Sequence, residues 1–144
     1  MSLLLNKFNQ TKLIDSVELN GFSGLKTIYS IIGPVKLKEL VDSFYDNVFA
    51  DERIAHLFKN DPSLIRDKQY RFLTQFFGGP QMYSEEYGHP RMRMRHLPHA
   101  IDQNAMEAWL ENMNKAIDAQ ELDDQLKETL KSTFPKLAQH MVNR

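Results

Sequence analysis

The stretch GGPQMYSEEYGHPRMRMRHLP, residues 78–98, interrupts a chain that otherwise has the pattern of amphipathic helices. Residues 78–90 contain three glycines, two prolines and two tyrosines and show no helical period, which predicts a long irregular segment between two helices. Such segments are usually functional or disordered, and the tyrosines offer apolar area that favours packing. The alternating arginines and methionines that follow stop at His96, and Pro98 then limits any helix there to a few residues.

Two amphipathic helices are predicted before this stretch. Apolar residues recur at spacings of three and four over residues 37–49, with Pro34 at a natural start. Residues 61–63 combine two good N-caps with a proline that suits a first turn, so a second helix begins there. Its apolar pattern continues to the break at Gly78.

Two further helices are predicted after it. One covers residues 102–117 and begins with an aspartate that can cap it, and the other covers residues 122–141. Pro135 lies inside the last helix and predicts a kink or a break. Residues 1–25 are weakly patterned and predict an N-terminal extension with a short helix around residues 12–19. Because no segment alternates with period two, we expect an all-α domain.

Composition narrows the class of protein. A chain of 144 residues is typical of one domain with one core. Lysine plus arginine (18) nearly balance aspartate plus glutamate (19), which disfavours a nucleic-acid or membrane-surface partner. The absence of cysteine excludes disulfides, thiolate metal sites and thiol catalysis. The apolar run at the N-terminus is too short for a signal peptide or a membrane span, so we expect a cytoplasmic protein.

Three polar side chains fall on apolar helix faces: Tyr45, Gln69 and Trp109. A buried hydrogen-bonding group without a partner costs on the order of 1–3 kcal/mol, so each needs a partner. Either the three side chains satisfy one another and nearby carbonyls, or they surround a small polar guest. The pattern alone leaves both interpretations open.

His96 has three interpretations. A histidine near a helix end is most often a cap or a surface residue. A zinc site of His89, His96 and His99 is a second interpretation, although the spacing is not a standard tetrahedral pattern and cysteine is absent. The third is proximal ligation of haem iron, which requires an apolar slot and cations for the two propionates. The available cations, which otherwise form a solvated basic face, are Arg91, Arg93, Arg95 and Lys68.

Three strings, in this order, resemble the truncated (two-over-two) haemoglobins of group II. They are FYDNVFADERIAHLF (44–58), RFLTQFFGGPQMYSEEYGHPRMRMRHLPHAI (71–101) and AMEAWLENM (105–113). The resemblance covers residues 26–144 and implies a truncated globin domain, a two-over-two helical sandwich around haem with a very short proximal helix. Residues 1–25 would be an extension outside that domain.

The resemblance implies that His96 is the proximal ligand of haem b iron. His99 stands where the family usually has phenylalanine, and Phe58 matches an aromatic residue that packs against the haem. The residues expected to contact the haem are Phe58, Lys68, Phe72, Tyr83, Met92, Arg95 and Trp109.

On the distal side, Tyr45 matches a ligand-binding tyrosine and Trp109 the tryptophan characteristic of the group. Gln69 matches a distal position that is often leucine and sometimes glutamine. Ile65 stands where other globins often carry a gating histidine and group members usually have a small residue. Isoleucine cannot hydrogen-bond a ligand, and we expect it to narrow that entry route.

The resemblance implies binding of O2, CO, NO or peroxide. Two or three hydrogen bonds of about 1 kcal/mol each would slow oxygen release by roughly two orders of magnitude. Slow release favours scavenging, sensing or redox detoxification over bulk oxygen transport. The alternatives are a nitric-oxide dioxygenase or peroxidase that uses an external reductase, and a haem-free helical interaction module. A monomer and a homodimer are both compatible with the sequence.

Overall fold

The structure is a computed structural model that describes residues 26–144. The predicted extension, residues 1–25, and its short helix at 12–19 lie outside the described residues. The described chain has no strand and has a 3₁₀ turn at Ala55–Leu57. Its α-helices are α1 (Ile28–Phe49), α2 (Pro62–Phe76), α3 (Met82–Tyr87), α4 (Met92–His96), α5 (Gln103–Ala119) and α6 (Asp124–Met141). The all-α prediction is confirmed.

Helix α1 begins earlier than its sequence pattern predicts. Thr27 and Ser30 form a capping box, in which the Thr27 hydroxyl accepts from the Ser30 amide at 3.0 Å. Gly33 then has φ of 77° and interrupts the helix just before Pro34. The predicted start at Pro34 therefore corresponds to the part of α1 that follows the interruption at Gly33. The sequence pattern did not predict the helical residues before Gly33.

The capping predictions for the middle helices are confirmed. Asp61 accepts from the Ser63 amide at 2.9 Å to cap α2, and Asp102 accepts from the Ala105 amide at 2.8 Å to cap α5. Of the kink or break predicted at Pro135, the break is wrong, because α6 continues through Pro135. Buried Phe134 on one side of the proline keeps the helix packed despite the missing amide.

The prediction of an irregular segment over residues 78–90 is wrong in part, because α3 lies within it. The Gln75 side chain donates to the Ser84 hydroxyl at 2.9 Å and accepts from the Ser84 amide at 3.0 Å. Together with buried Tyr83, this pair of bonds holds a helix of six residues that is too short to persist alone.

The long helices enclose the core. Helix α1 packs on α2 and α5, and α5 packs on α6. Arg66 of α2 links the two helices by donating to the carboxylates of Asp42 and Asp46 of α1 at 3.2 and 2.8 Å. Gly79 passes so close to α1 that a Cβ there would lie 2.6 Å from the Tyr29 ring. In residues 26–144 no helix is both long and apolar enough to cross a membrane.

Candidate functional site

A cavity of about 410 Å³ lies among the helices and the 3₁₀ turn. This volume falls in the range of roughly 300–1,000 Å³ typical of cofactor and ligand sites. The structure brings together at this cavity all the residues expected to bind the iron, contact the haem or face the distal ligand, namely Tyr45, Phe58, Ile65, Lys68, Gln69, Phe72, Tyr83, Met92, Arg95, His96 and Trp109.

Further lining residues were not among the expected haem or ligand contacts, although His99 was a candidate zinc ligand. They are Ile54, Leu57, Asn60, His99, Ile101, Ala105, Met106, Leu137, Ala138 and Met141. Leu137 and Met141 belong to the apolar face of α6. Their helical spacing was visible in the sequence, but spacing does not distinguish a face that meets a core from one that lines a cavity.

The His96 imidazole is held in one tautomer. Its Nδ1 lies 2.6 Å from the Met92 carbonyl oxygen. A carbonyl oxygen only accepts, so Nδ1 carries the hydrogen and Nε2 of the neutral ring keeps its lone pair. Burial lowers the pKa of His96, an effect that the Met92 bond partly opposes. The side chain is therefore a neutral imidazole with one free nitrogen, as metal ligation requires.

The three arginines before His96 have different surroundings. Arg95 lines the cavity and donates from Nε to the Pro90 carbonyl at 2.8 Å and from Nη2 to the Tyr87 carbonyl at 3.2 Å. Arg93 instead donates to main-chain carbonyls at the end of α6. Arg91, the N-cap of α4, has φ of 44° and does not line the cavity. Of the predicted propionate cations on α4 and its cap, only Arg95 lines the cavity.

Only one methionine of the RMRMRH run, Met92, lines the cavity, whereas the side chain of Met94 is 49% exposed. Met92, the methionine expected to contact a haem, is thus the one that faces the cavity, and Met94 does not line it. The zinc alternative also fails in the described part of the chain. His89, His96 and His99 do not form a metal site, because residues 26–144 contain no group of three or more His, Asp or Glu side chains placed to hold an ion.

Tyr45 is a buried residue whose hydroxyl has no hydrogen-bond partner among residues 26–144. The residue is 4% exposed, and its ring packs 5.8 Å from that of Phe58, measured between centroids. Burial raises the pKa of Tyr45 far above its usual value, so the hydroxyl keeps its proton. Neither Tyr45 nor Gln69 nor Trp109 makes a side-chain hydrogen bond to another residue of 26–144. The interpretation in which the three satisfy one another is therefore wrong.

Comparisons with known proteins agree with this geometry. The model of the bacterial-like globin family matches residues 27–143. The group 2 truncated hemoglobin YjbI of Bacillus subtilis is 40% identical over 116 residues, which cover 81% of this chain and 88% of the relative. The chain belongs to the group II truncated haemoglobins. Membership of this globin family implies haem binding and, with it, the binding of small gaseous ligands.

This truncated haemoglobin has the same fold as solved structures of related haemoglobins. The crystal structure of the haemoglobin of Chloroflexus aurantiacus matches at 42% identity and a TM-score of 0.78, over 83% of this chain and 99% of that one. The structure of the truncated oxygen-avid haemoglobin of Bacillus subtilis matches at 40% identity and a TM-score of 0.78, over 82% of this chain and 100% of that one. The predicted two-over-two fold and the group are thereby confirmed.

The charges that line the cavity of this truncated haemoglobin suit an anionic cofactor. Lys68 and Arg95 are cations, and no aspartate or glutamate of the described residues lines the cavity. The Lys68 ammonium lies 5.1 Å from the centroid of the Tyr87 ring, a cation–π contact, and it has no carboxylate partner among residues 26–144. The apolar lining, the free His96 nitrogen and these two cations together fit haem and its propionates.

Proposed function

We propose that this truncated haemoglobin binds haem b through His96 and binds O2, CO, NO or peroxide beside a distal network of Tyr45, Gln69 and Trp109. One observation carries the proposal. The protonated hydroxyl of Tyr45, a buried residue, lines the same apolar cavity as neutral His96, whose Nε2 is free, and has no hydrogen-bond partner among residues 26–144. Haem iron held by a single histidine supplies a sixth position that is open to a small ligand.

The side chains around that position determine how long a ligand stays. The Tyr45 O–H and the Trp109 N–H are donors, and Gln69 can also donate, so all three favour a ligand atom that carries partial negative charge. Ile65 lines the same cavity without a donor and narrows the route at its position. Slow release follows, which suits scavenging, sensing or redox detoxification. The Bacillus subtilis relative is described as oxygen-avid, in keeping with this proposal.

The purified protein is expected to show a Soret band, because the cavity provides both an iron ligand and counter-ions for the propionates. Ferrous protein should be five-coordinate and should shift to a six-coordinate spectrum with CO. Absorption spectroscopy checks both points. Failure of the protein to take up haem during reconstitution would contradict the proposal. The remaining alternative would then be a haem-free helical interaction module. Sustained nitric-oxide or peroxide consumption with an external reductase would instead make the protein a redox enzyme.

Replacing Lys68 and Arg95 together with alanine should speed haem loss by about tenfold, because two partly exposed charge-assisted contacts contribute on the order of 1 kcal/mol or less each. Transfer of haem to apomyoglobin measures this rate. The C–O stretching frequency of the carbonyl complex should stay unchanged, since both cations are assigned to the propionates and away from the bound ligand. Lys115→Ala, at an exposed lysine of α5, is the matched control. A large shift of the C–O frequency in the double variant would place one cation beside the ligand and overturn its assignment.

A further inference from the structure

Helix α4 cannot position His96 by itself. It has five residues, and no side chain caps its N-terminus. Its N-cap Arg91 has φ of 44°, a conformation that is uncommon for a residue with a side chain. Isolated helices shorter than about 12–15 residues are marginal in water, so the orientation of α4 must come from contacts to the rest of the protein.

Asn143, just after α6, contacts the end of α4 and the turn that follows it, with its side-chain amide and its main-chain N–H. Its side-chain Nδ2 donates to the carbonyl oxygens of His96 at 3.1 Å and of His99 at 2.9 Å. Its Oδ1 accepts from the Ile101 amide at 3.1 Å, and its own amide donates to the Ile101 carbonyl at 2.8 Å. One side chain therefore joins the carbonyl of His96 to the turn that follows it.

Arg93 makes the reciprocal contact from α4 to the end of α6. Its Nη1 donates to the carbonyl oxygens of His140 at 2.6 Å and of Val142 at 2.9 Å. Such bonds satisfy carbonyls that a helix C-terminus leaves without intrahelical partners. The two helices are thus fastened in both directions, by Arg93 from α4 and by Asn143 from the end of α6.

We infer that Arg93 and Asn143 form a C-terminal clamp whose function is to fix the orientation of the His96 imidazole toward the haem. The inference rests on the proposed role of His96 as iron ligand. The clamp acts on the main chain of the ligand residue itself, because Asn143 bonds the His96 carbonyl. It also joins the ligand to a cavity wall, since Leu137 and Met141 of α6 line the same cavity. Arg93 and Asn143 are positioning residues and do not line the cavity.

The test uses full-length holoprotein with Asn143→Ala and Asn143→Asp. Alanine removes all side-chain bonds of the clamp residue. Aspartate keeps the shape of the side chain and the acceptor for the Ile101 amide, but it cannot donate to the carbonyls of His96 and His99. The aspartate variant is therefore the one to measure if the alanine variant does not fold. Resonance Raman of the ferrous protein should show the iron–histidine stretching band broadened or shifted in both variants. Haem transfer to apomyoglobin should be about tenfold faster, which corresponds to about 1.4 kcal/mol.

Controls separate positioning from simple stabilisation. Asn104→Ala removes an exposed asparagine on α5 outside the clamp and should leave the band and the transfer rate as in the wild type. Unchanged iron–histidine bands in both Asn143 variants would overturn the clamp, even if their melting temperatures fall. The wild-type band is recorded first. Its absence would overturn the role of His96, and with it the clamp, whereas a normal wild-type band that Asn143 does not affect would overturn only the clamp.

Discussion

The largest expected effect is that of His96→Ala, which should lose haem or hold it only weakly. His96 is the half-buried histidine whose Nδ1 bond to Met92 leaves Nε2 free at the cavity. Mutation of a residue that hydrogen-bonds a metal ligand typically lowers metal affinity by about 10–100-fold. Removal of the ligand itself should therefore lower haem affinity by more than about 100-fold. Haem titration of the purified apoprotein and the ferrous absorption spectrum measure the loss.

The companion variants for this experiment are His99→Ala and His89→Ala. His99 also lines the cavity but is exposed, and His89 does not line it, so both variants should keep a normal five-coordinate ferrous spectrum. Imidazole added to His96→Ala should restore part of the haem binding by occupying the space of the missing ring. A normal five-coordinate spectrum in His96→Ala without imidazole would show that another residue is the ligand, with His99 as the first to test.

The fold was predictable where local chemistry determines it. The aspartate caps at residues 61 and 102 could be predicted from the sequence, because an aspartate directly before an amphipathic helical pattern commonly accepts from the free amides of the first turn. Helix α3 was missed because six residues are too few to show a period of 3.6. Its stability comes from Gln75, which lies nine residues before its partner Ser84, and no local pattern reports such a bond.

The residues that line the candidate site could be predicted from the sequence better than the directions in which neighbouring side chains point. Arg93 and Arg95 look equivalent in the sequence, yet two positions on a helix differ by about 200° in direction. Arg95 therefore lines the cavity whereas Arg93 contacts the end of α6. Met92 and His96 are four positions apart and share a face. Asn143 was missed because its partners are main-chain groups more than 40 residues away, for which the sequence has no signal.

Tyr45→Phe is expected to speed oxygen dissociation by roughly tenfold or more. The change removes a hydroxyl and little volume, so it tests one hydrogen bond with small packing cost. Loss of a charge-assisted bond of about 1.5–3 kcal/mol corresponds to at least a factor of ten in rate. Stopped-flow displacement of oxygen measures it. Tyr70→Phe is the matched control, because Tyr70 is a half-buried tyrosine of α2 that does not line the cavity.

Trp109→Phe should act in the same direction as Tyr45→Phe, and the double variant should be non-additive, because donors around one ligand couple. The Trp109 ring packs against Phe44 and Phe134 at centroid distances of 4.9 and 5.6 Å, so phenylalanine keeps part of that packing. Gln69→Leu should matter less if Tyr45 and Trp109 are the nearer donors. Unchanged dissociation rates in both single variants would mean that these polar groups do not bind the ligand. The distal half of the proposal would then be wrong, while the role of His96 would stand, because the two halves of the cavity are tested by different variants.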